Sequence, residues 1–223
     1  MNCIFDGRPN SGKGSLAIML AKKYLFTHLS TGDILREEIK KGTELGKEID
    51  GFISSGNLVP MEIVNTALSE ALKNLSGHKV IDGFPRTKEQ AEFILEKIGA
   101  KKLVVVRINA PRELCKQRAS LRRICKFCKA PQLVNETGTC DICGKESAQT
   151  IRTDDALIDQ RLNSYDDETA KVYDFMASQG IKVITVNAEL GTNAIAGDVI
   201  KFLRPYFSSH WFWRFYRWVK GIK

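Results

Sequence analysis

Nine residues near the start of the chain, Gly7-Arg8-Pro9-Asn10-Ser11-Gly12-Lys13-Gly14-Ser15, have the types and spacing to cradle a phosphate group. Gly7 and Gly12 let the backbone curl with its N–H groups turned inward. Lys13 brings a cation on a long stem, and Ser15 offers a hydroxyl next to a bound Mg²⁺. Such a loop needs a strand to feed it and a helix to leave it, because the helix N-terminus adds the positive end of its dipole. Cys3-Ile4-Phe5 is an apolar run just before the loop. Leu16, Ala17, Leu20, Ala21 and Tyr24 recur at helical spacing after it.

Four cysteines carry a second chemistry. Cys125, Cys128, Cys140 and Cys143 form C-x₂-C-x₁₁-C-x₂-C, and each pair makes a tight turn that aims two thiolates at one metal ion. Four thiolates close a tetrahedral zinc site with no open position, so such a zinc is structural rather than catalytic. About thirty residues with few apolar groups build no core of their own, and metal binding supplies their folding energy. Cys3 and Cys115 read as small buried hydrophobes.

The elements that must position these groups follow from the apolar pattern. Helical stretches are expected over 33–41, 44–54, 60–73, 88–97, 111–121, 155–178 and 193–203. Short strands are expected over 3–5, 79–82, 103–108 and 181–186. The run Leu103-Val104-Val105-Val106 has no polar face, as in a parallel strand covered on both sides. Strands alternating with helices give an α/β fold with a doubly wound parallel sheet. Residues 30–59 and 122–154 break the alternation and read as insertions.

The composition is that of an ordinary globular protein, with 43% hydrophobic and 27% charged residues. No apolar run reaches the ~20 residues that span a bilayer. The first strand begins too close to Met1 for a signal peptide, so a cytoplasmic protein is expected. The net charge is +8, and five of the cations (Arg204, Arg214, Arg217, Lys220 and Lys223) follow residue 203 with no acid among them. On a helical wheel Arg214, Arg217 and Lys220 share an arc with His210, while Trp211, Phe215, Trp218 and Ile222 lie opposite. A basic arc facing an aromatic one is the pattern of a helix lying on a membrane surface. It also fits a helix docked on the body or on a partner. No nucleic-acid partner is expected.

Further motifs extend the pattern: Leu29-Ser30-Thr31-Gly32-Asp33-Ile34-Leu35-Arg36, Gly56-x-Leu58-Val59-Pro60, Asp82-Gly83-Phe84-Pro85-Arg86-Thr87, Gln90-Ala91, Arg122-Arg123 and Arg152-Thr153-Asp154-Asp155. With the phosphate loop and the cysteines they occur in the order and spacing of one family. The chain resembles the adenylate kinase family of nucleoside monophosphate kinases, in its long-lid, zinc-containing branch.

The resemblance implies a three-layer α/β/α fold of the phosphate-loop type with a five-stranded parallel sheet. It implies a core made of 1–29, 60–121 and 155–204, a monophosphate-binding insertion at 30–59, a zinc lid at 122–154 and a tail at 205–223. The implied reaction is Mg²⁺-dependent, ATP + AMP = 2 ADP, carried out by a monomer. A UMP/CMP kinase, a GTP:AMP kinase and a non-catalytic nucleotide sensor at a membrane are the alternatives. ATP would lie against Gly7, Asn10, Ser11, Gly12, Lys13, Gly14, Ser15, Arg118 and Arg122. AMP would lie against Thr31, Arg36, Leu58, Val59, Gly83, Arg86, Gln90, Arg152 and Arg161. Lys13, Arg86, Arg122, Arg152 and Arg161 would gather round the transferring phosphoryl. Asp82, helped by Asp33, would hold Mg²⁺ through water. Arginines suit the task because moving a phosphoryl between two polyanions is mainly positioning and charge neutralisation.

Four departures from the family pattern bear on the site. Asn10 stands where Gly is usual, and Asn tolerates a left-handed backbone better than other non-Gly residues. Leu16 replaces a usual Gln, and Leu121 a usual Gly. The stretch from Asp155 to Arg161 is about two residues short. That would swing Arg161 by roughly 200° round its helix, unless the helix start absorbs it.

Overall fold

The computed structural model describes residues 1–73, 77–127, 131–133, 139–140, 143–146, 149–150, 156–190 and 192–206. Cys128, Arg152 and the tail from residue 207 on lie outside them.

Eight strands and nine α-helices form the described fold. The strands are β1 (Asn2–Asp6), β2 (Thr27–Ser30), β3 (Lys79–Asp82), β4 (Leu103–Asn109), β5 (Arg122–Cys125), β6 (Pro131–Leu133), β7 (Gln149–Thr150) and β8 (Lys182–Asn187). The helices are α1 (Lys13–Tyr24), α2 (Thr31–Lys40), α3 (Glu44–Ser54), α4 (Met61–Lys73), α5 (Lys88–Ile98), α6 (Arg112–Leu121), α7 (Ile158–Ser164), α8 (Ala170–Ser178) and α9 (Thr192–Leu203). A π-helical turn, Tyr165–Thr169, joins α7 to α8.

Five strands make one parallel sheet in the order β2-β3-β1-β4-β8. Alternation along β1 assigns its side chains to two cores. Cys3 and Phe5 pack with Leu16 and Leu20 of α1 and Val199 and Leu203 of α9. Ile4 points the other way, to Leu68 of α4, Ile94 of α5 and Met176 of α8. With helices on both faces, β4 is buried from Leu103 to Val106, as its unbroken Val run requires. The chain after β1 leaves toward one face and the chain after β3 toward the other. The C-terminal ends of these neighbouring strands therefore flank a crevice, the usual ligand position in such sheets.

Two elements differ from the expectation. β2 carries no readable apolar pattern, since only Leu29 of its four residues is buried. The helix expected over 155–178 begins at Ile158 and widens at the π-turn. Leu16, in place of a polar residue, is fully buried, and Leu121 is exposed at the end of α6. There β5 begins a separate three-stranded antiparallel sheet, β6-β5-β7. Among the described residues no helix is long and apolar enough to cross a membrane.

Candidate active site

The loop between β1 and α1 curls as its glycines allow. Gly7 has φ +146°, and a Cβ there would stand 2.5 Å from the Ile108 carbonyl oxygen. Asn10 is left-handed at φ +61°, as expected for a residue in a glycine's place. Its side chain does more than tolerate the turn: Asn10 Oδ1 accepts a 2.7 Å hydrogen bond from Arg122 Nη1. α1 starts at Lys13, behind Gly12, with no side-chain cap, so its first N–H groups have no side-chain acceptor.

Lys13 folds back on the loop, donating to the carbonyls of Gly7 and Arg8. Burial pulls its pKa down to about 8, against the opposing charges of Asp82 and Asp6. Burial pushes the Asp82 carboxyl up, but the contact with His28 and the charges of Lys13 and Arg86 outweigh it and hold Asp82 below its ordinary range. His28 Nε2 lies 3.6 Å from Asp82 Oδ2. Asp82 is thus an ionised carboxylate beside the phosphate loop, the kind of hard oxygen ligand Mg²⁺ takes.

Across the crevice, Gly83 has φ +83°, and Thr31 Oγ1 sits 2.8 Å from where its Cβ would be. Arg86 Nε donates to the Gly83 carbonyl at 2.9 Å, and the Arg86 amide donates to Gln90 Oε1 at 2.8 Å. Thr87 caps α5 at the Gln90 amide. Arg118 bridges the Ser11 and Ala188 carbonyls, 2.8 Å to each.

These groups face one cavity of about 520 Å³. Gly7, Asn10, Ser11, Gly12, Lys13, Gly14, Ser15, Arg118 and Arg122 line one part. Thr31, Arg36, Leu58, Val59, Asp82, Gly83, Arg86, Gln90 and Arg161 line the other. Arg161 lines it from α7, which starts at Ile158 and not at 155. Gln160, one residue earlier, donates to the Ser55 carbonyl at 2.9 Å and ties α7 to the turn after α3. Asp33 is not among the lining residues. It is exposed and pairs with Arg36 one helical turn away, 2.5 Å from Nη2 to Oδ1.

The sequence reading missed a polar frame behind the loop. Asp6, buried at the end of β1, accepts from Tyr165 Oη and from Arg107 Nε, each at 2.7 Å. Burial is the largest influence on Asp6 and leaves its pKa raised despite both partners. Arg8 and Arg112 grip the two oxygens of Asp166 at 2.8 and 2.6 Å. The π-turn thereby fastens both ends of the loop's first half. The available signals were an acid ending a buried strand and an arginine at the matching position of β4. The parallel register pairs them, Asp6 with Arg107.

The cysteine sulfurs meet as the spacing requires. Cys125, Cys140 and Cys143 bring their sulfurs within 4.8 Å of one another. Sγ of Cys125 and Sγ of Cys143 are 3.8 Å apart, the edge of a tetrahedron with Zn–S bonds of about 2.3 Å. Gly144, at φ +69°, donates to the Cys140 carbonyl and closes the knuckle turn. The cluster fits a structural zinc, with Cys128 outside the described residues.

A phosphate loop and an arginine cluster facing each other across one cavity, on a parallel sheet of this order, define a nucleotide-dependent phosphotransferase of the phosphate-loop class. Comparison with known proteins gives the family. The adenylate kinase profile matches residues 5–181. Adenylate kinase of Caldicellulosiruptor bescii is 38% identical over 199 residues, 85% of this chain and 93% of that protein. Adenylate kinase of Methanothrix thermoacetophila is 35% identical over 215 residues, 92% and 100% of the two chains. That of Desulforamulus reducens is 34% identical over 210 residues, 90% and 98%. The chain belongs to the adenylate kinase family, whose members carry out ATP + AMP = 2 ADP with Mg²⁺.

Proposed function

We propose that the cavity holds two nucleotides with their phosphates facing, ATP on the Gly7–Ser15 loop and AMP between α2, the turn before Pro60 and the start of α5. The observation that carries this is that one cavity is lined both by Lys13 and Arg118 and by Arg36, Arg86 and Gln90, with Asp82 in the same lining. Arg36 and Arg86 clamp the AMP phosphate, and Thr31 and Gln90 recognise the adenosine side. Lys13 leaves the Gly7 and Arg8 carbonyls for the phosphates of ATP. Arg122, Arg152 and Arg161 neutralise the charge that builds on the transferring group. Asp82 and Ser15 hold the Mg²⁺ that accompanies ATP. Transfer is direct and in line.

On this reading residues 30–59 close over AMP. Residues 122–154, stiffened by zinc, close over ATP as a body and keep water from the phosphoryl. The chain acts as a cytoplasmic monomer. Residues 205–223 rest on the inner face of a membrane: no acid offsets their four cations, and on a helical wheel Trp211 and Trp218 fall opposite the basic arc.

The test is ADP formation from ATP or GTP with AMP, UMP or CMP as acceptor. The expected result is turnover with ATP and AMP, lost by about 10²-fold or more in Arg86→Ala, as for removal of a preorganised charge donor. Faster turnover with UMP or CMP overturns the acceptor assignment, and faster turnover with GTP overturns the donor. Nucleotide binding without turnover for any pair makes the chain a sensor.

A further inference from the structure

The end of the sheet opposite the cavity is a basic edge. In the sheet order, β3, β1, β4 and β8 are consecutive neighbours. β3 begins with Lys79, which pairs in register with Asn2 of β1. Lys101 and Lys102 lead directly into Leu103, the other partner of Asn2, and β8 begins with Lys182. The strands lie about 4.8 Å apart, so Lys102 and Lys182 enter adjacent strands, and Lys79 enters one two strands from Lys102, roughly 10 Å away, close to the Debye length of about 8 Å at physiological salt, so their fields overlap. The charges of Lys79 and Lys102 both bear on the Met1 amine between them. Lys101, Lys102 and Lys182 are exposed, and Lys79 is half-buried. None of the four pairs with a carboxylate among the described residues. The segments 77–81, 98–106 and 179–188 that enter these strands contain no Asp or Glu.

The same edge is where the tail leaves the body. α9 ends at Leu203, and Arg204 is exposed beside it. Tyr206, the last described residue, packs against Phe202 with ring centroids 5.9 Å apart and lies 5.7 Å under Lys182 Nζ. From there seventeen residues follow with four more cations, no acid and all three tryptophans of the chain.

We propose that this edge, Lys79, Lys101, Lys102, Lys182 and Arg204, is an electrostatic platform for an anionic phospholipid surface, continuous with the tail. The inference rests on the membrane reading of residues 205–223 and adds to it a second contact and an orientation. A tail alone tethers the body without fixing its attitude. A basic edge at the N-terminal ends of the strands lays that end on the lipid, and the cavity at the other end of the sheet, roughly 20 Å away along β4, opens to solvent. Substrate exchange is then not obstructed by the membrane. Aromatic side chains at the exit favour lipid over nucleic acid, because indole rings settle at the headgroup level of a bilayer.

The experiment uses the full chain and vesicles of phosphatidylcholine, alone or mixed with phosphatidylglycerol. Sedimentation reads binding of the whole protein, and tryptophan fluorescence reads the tail. The expected result is salt-sensitive binding to the mixed vesicles only. It falls about fivefold per neutralised lysine and roughly a hundredfold in Lys79→Gln/Lys102→Gln/Lys182→Gln. ADP formation in free solution is unchanged in that variant. The matching Lys→Arg triple variant binds as the parent does. Undiminished binding of the Gln variant, with loss in Trp211→Ser/Trp218→Ser, overturns the platform and leaves the tail reading standing. No binding by the parent chain overturns both. Displacement of the vesicles by a short nucleic acid duplex at lower concentration overturns lipid as the partner.

Discussion

Removing Arg107 is expected to be among the more damaging single changes outside the cavity. The Asp6 side chain is 0% exposed, and Arg107 supplies its one charged hydrogen bond, at 2.7 Å. Arg107→Leu leaves a buried carboxylate with Tyr165 as its remaining donor. Breaking a buried pair from one side costs about 3–5 kcal/mol, because the other charge stays buried and uncompensated. For a chain of this size that is a fall in Tm of roughly 6–20 °C. The exposed arm of the network adds little: Asp174 is 75% exposed and 3.2 Å from Arg107, and such pairs contribute about 0–1 kcal/mol. The triple change Asp6→Leu/Arg107→Leu/Tyr165→Phe removes every polar member together. It should recover stability to within about 1 kcal/mol of the parent, since apolar replacement of a whole buried pair is often neutral or better. Urea unfolding at neutral pH without nucleotide measures both. Acid supplies a third reading. Burial already raises the Asp6 pKa, and loss of Arg107 raises it further. The folded single variant then binds a proton more tightly than the unfolded chain does. Its deficit should shrink as pH falls from 7 toward 5. A single variant costing under about 1 kcal/mol, or a triple variant no more stable than the single, refutes the reasoning.

Other outcomes follow from the site. The Lys13 pKa of about 8 in the empty loop must rise when ATP phosphates approach, so ATP binding takes up a proton and affinity falls as pH climbs above 8. Calorimetry in buffers of different ionisation enthalpy checks this, and buffer-independent heats at pH 9 would contradict it. Asn10→Ala forces an ordinary residue to φ +61° and removes the acceptor for Arg122, so a loss of about 1–2 kcal/mol from the backbone alone is expected in unfolding experiments. Asn10→Gly relieves the backbone and loses only the hydrogen bond. Metal analysis should find one zinc per chain, absent in Cys125→Ser. Chelation should speed proteolysis within 122–150 by roughly tenfold or more while the parallel sheet keeps its protection. Equal proteolysis with and without metal would deny the zinc its structural role.

The parts of the fold that the sequence disclosed are those where one residue type meets one physical demand. Gly7 and Gly12 mark the loop because few other residues could follow that backbone. Leu103 to Val106 marks a doubly covered strand because nothing polar interrupts it. β2 escaped notice since a four-residue edge strand with one buried side chain has no period to read. The frame of Asp6, Arg107 and Tyr165 was out of reach for another reason. Arg107 and Tyr165 stand 101 and 159 residues from Asp6 in the chain, and only the sheet register and the π-turn bring them together. Arg8 and Asp166 are alike in this. Asp33, placed by its motif near the metal, pairs with Arg36 on its own helix, an i,i+3 contact within reach on any α-helix.

The hydrogen bond between Asn10 and Arg122 ties the phosphate loop to the strand at the centre of the small antiparallel sheet. A carboxamide oxygen presents to a guanidinium much what a phosphate oxygen does, with weaker charge. Asn10 thus gives Arg122 an acceptor on the loop itself, where the two-nucleotide reading puts a phosphate. On that reading a phosphate displaces the amide, because charged acceptors bind arginine more strongly. Glycine in this position would remove this one acceptor from the loop.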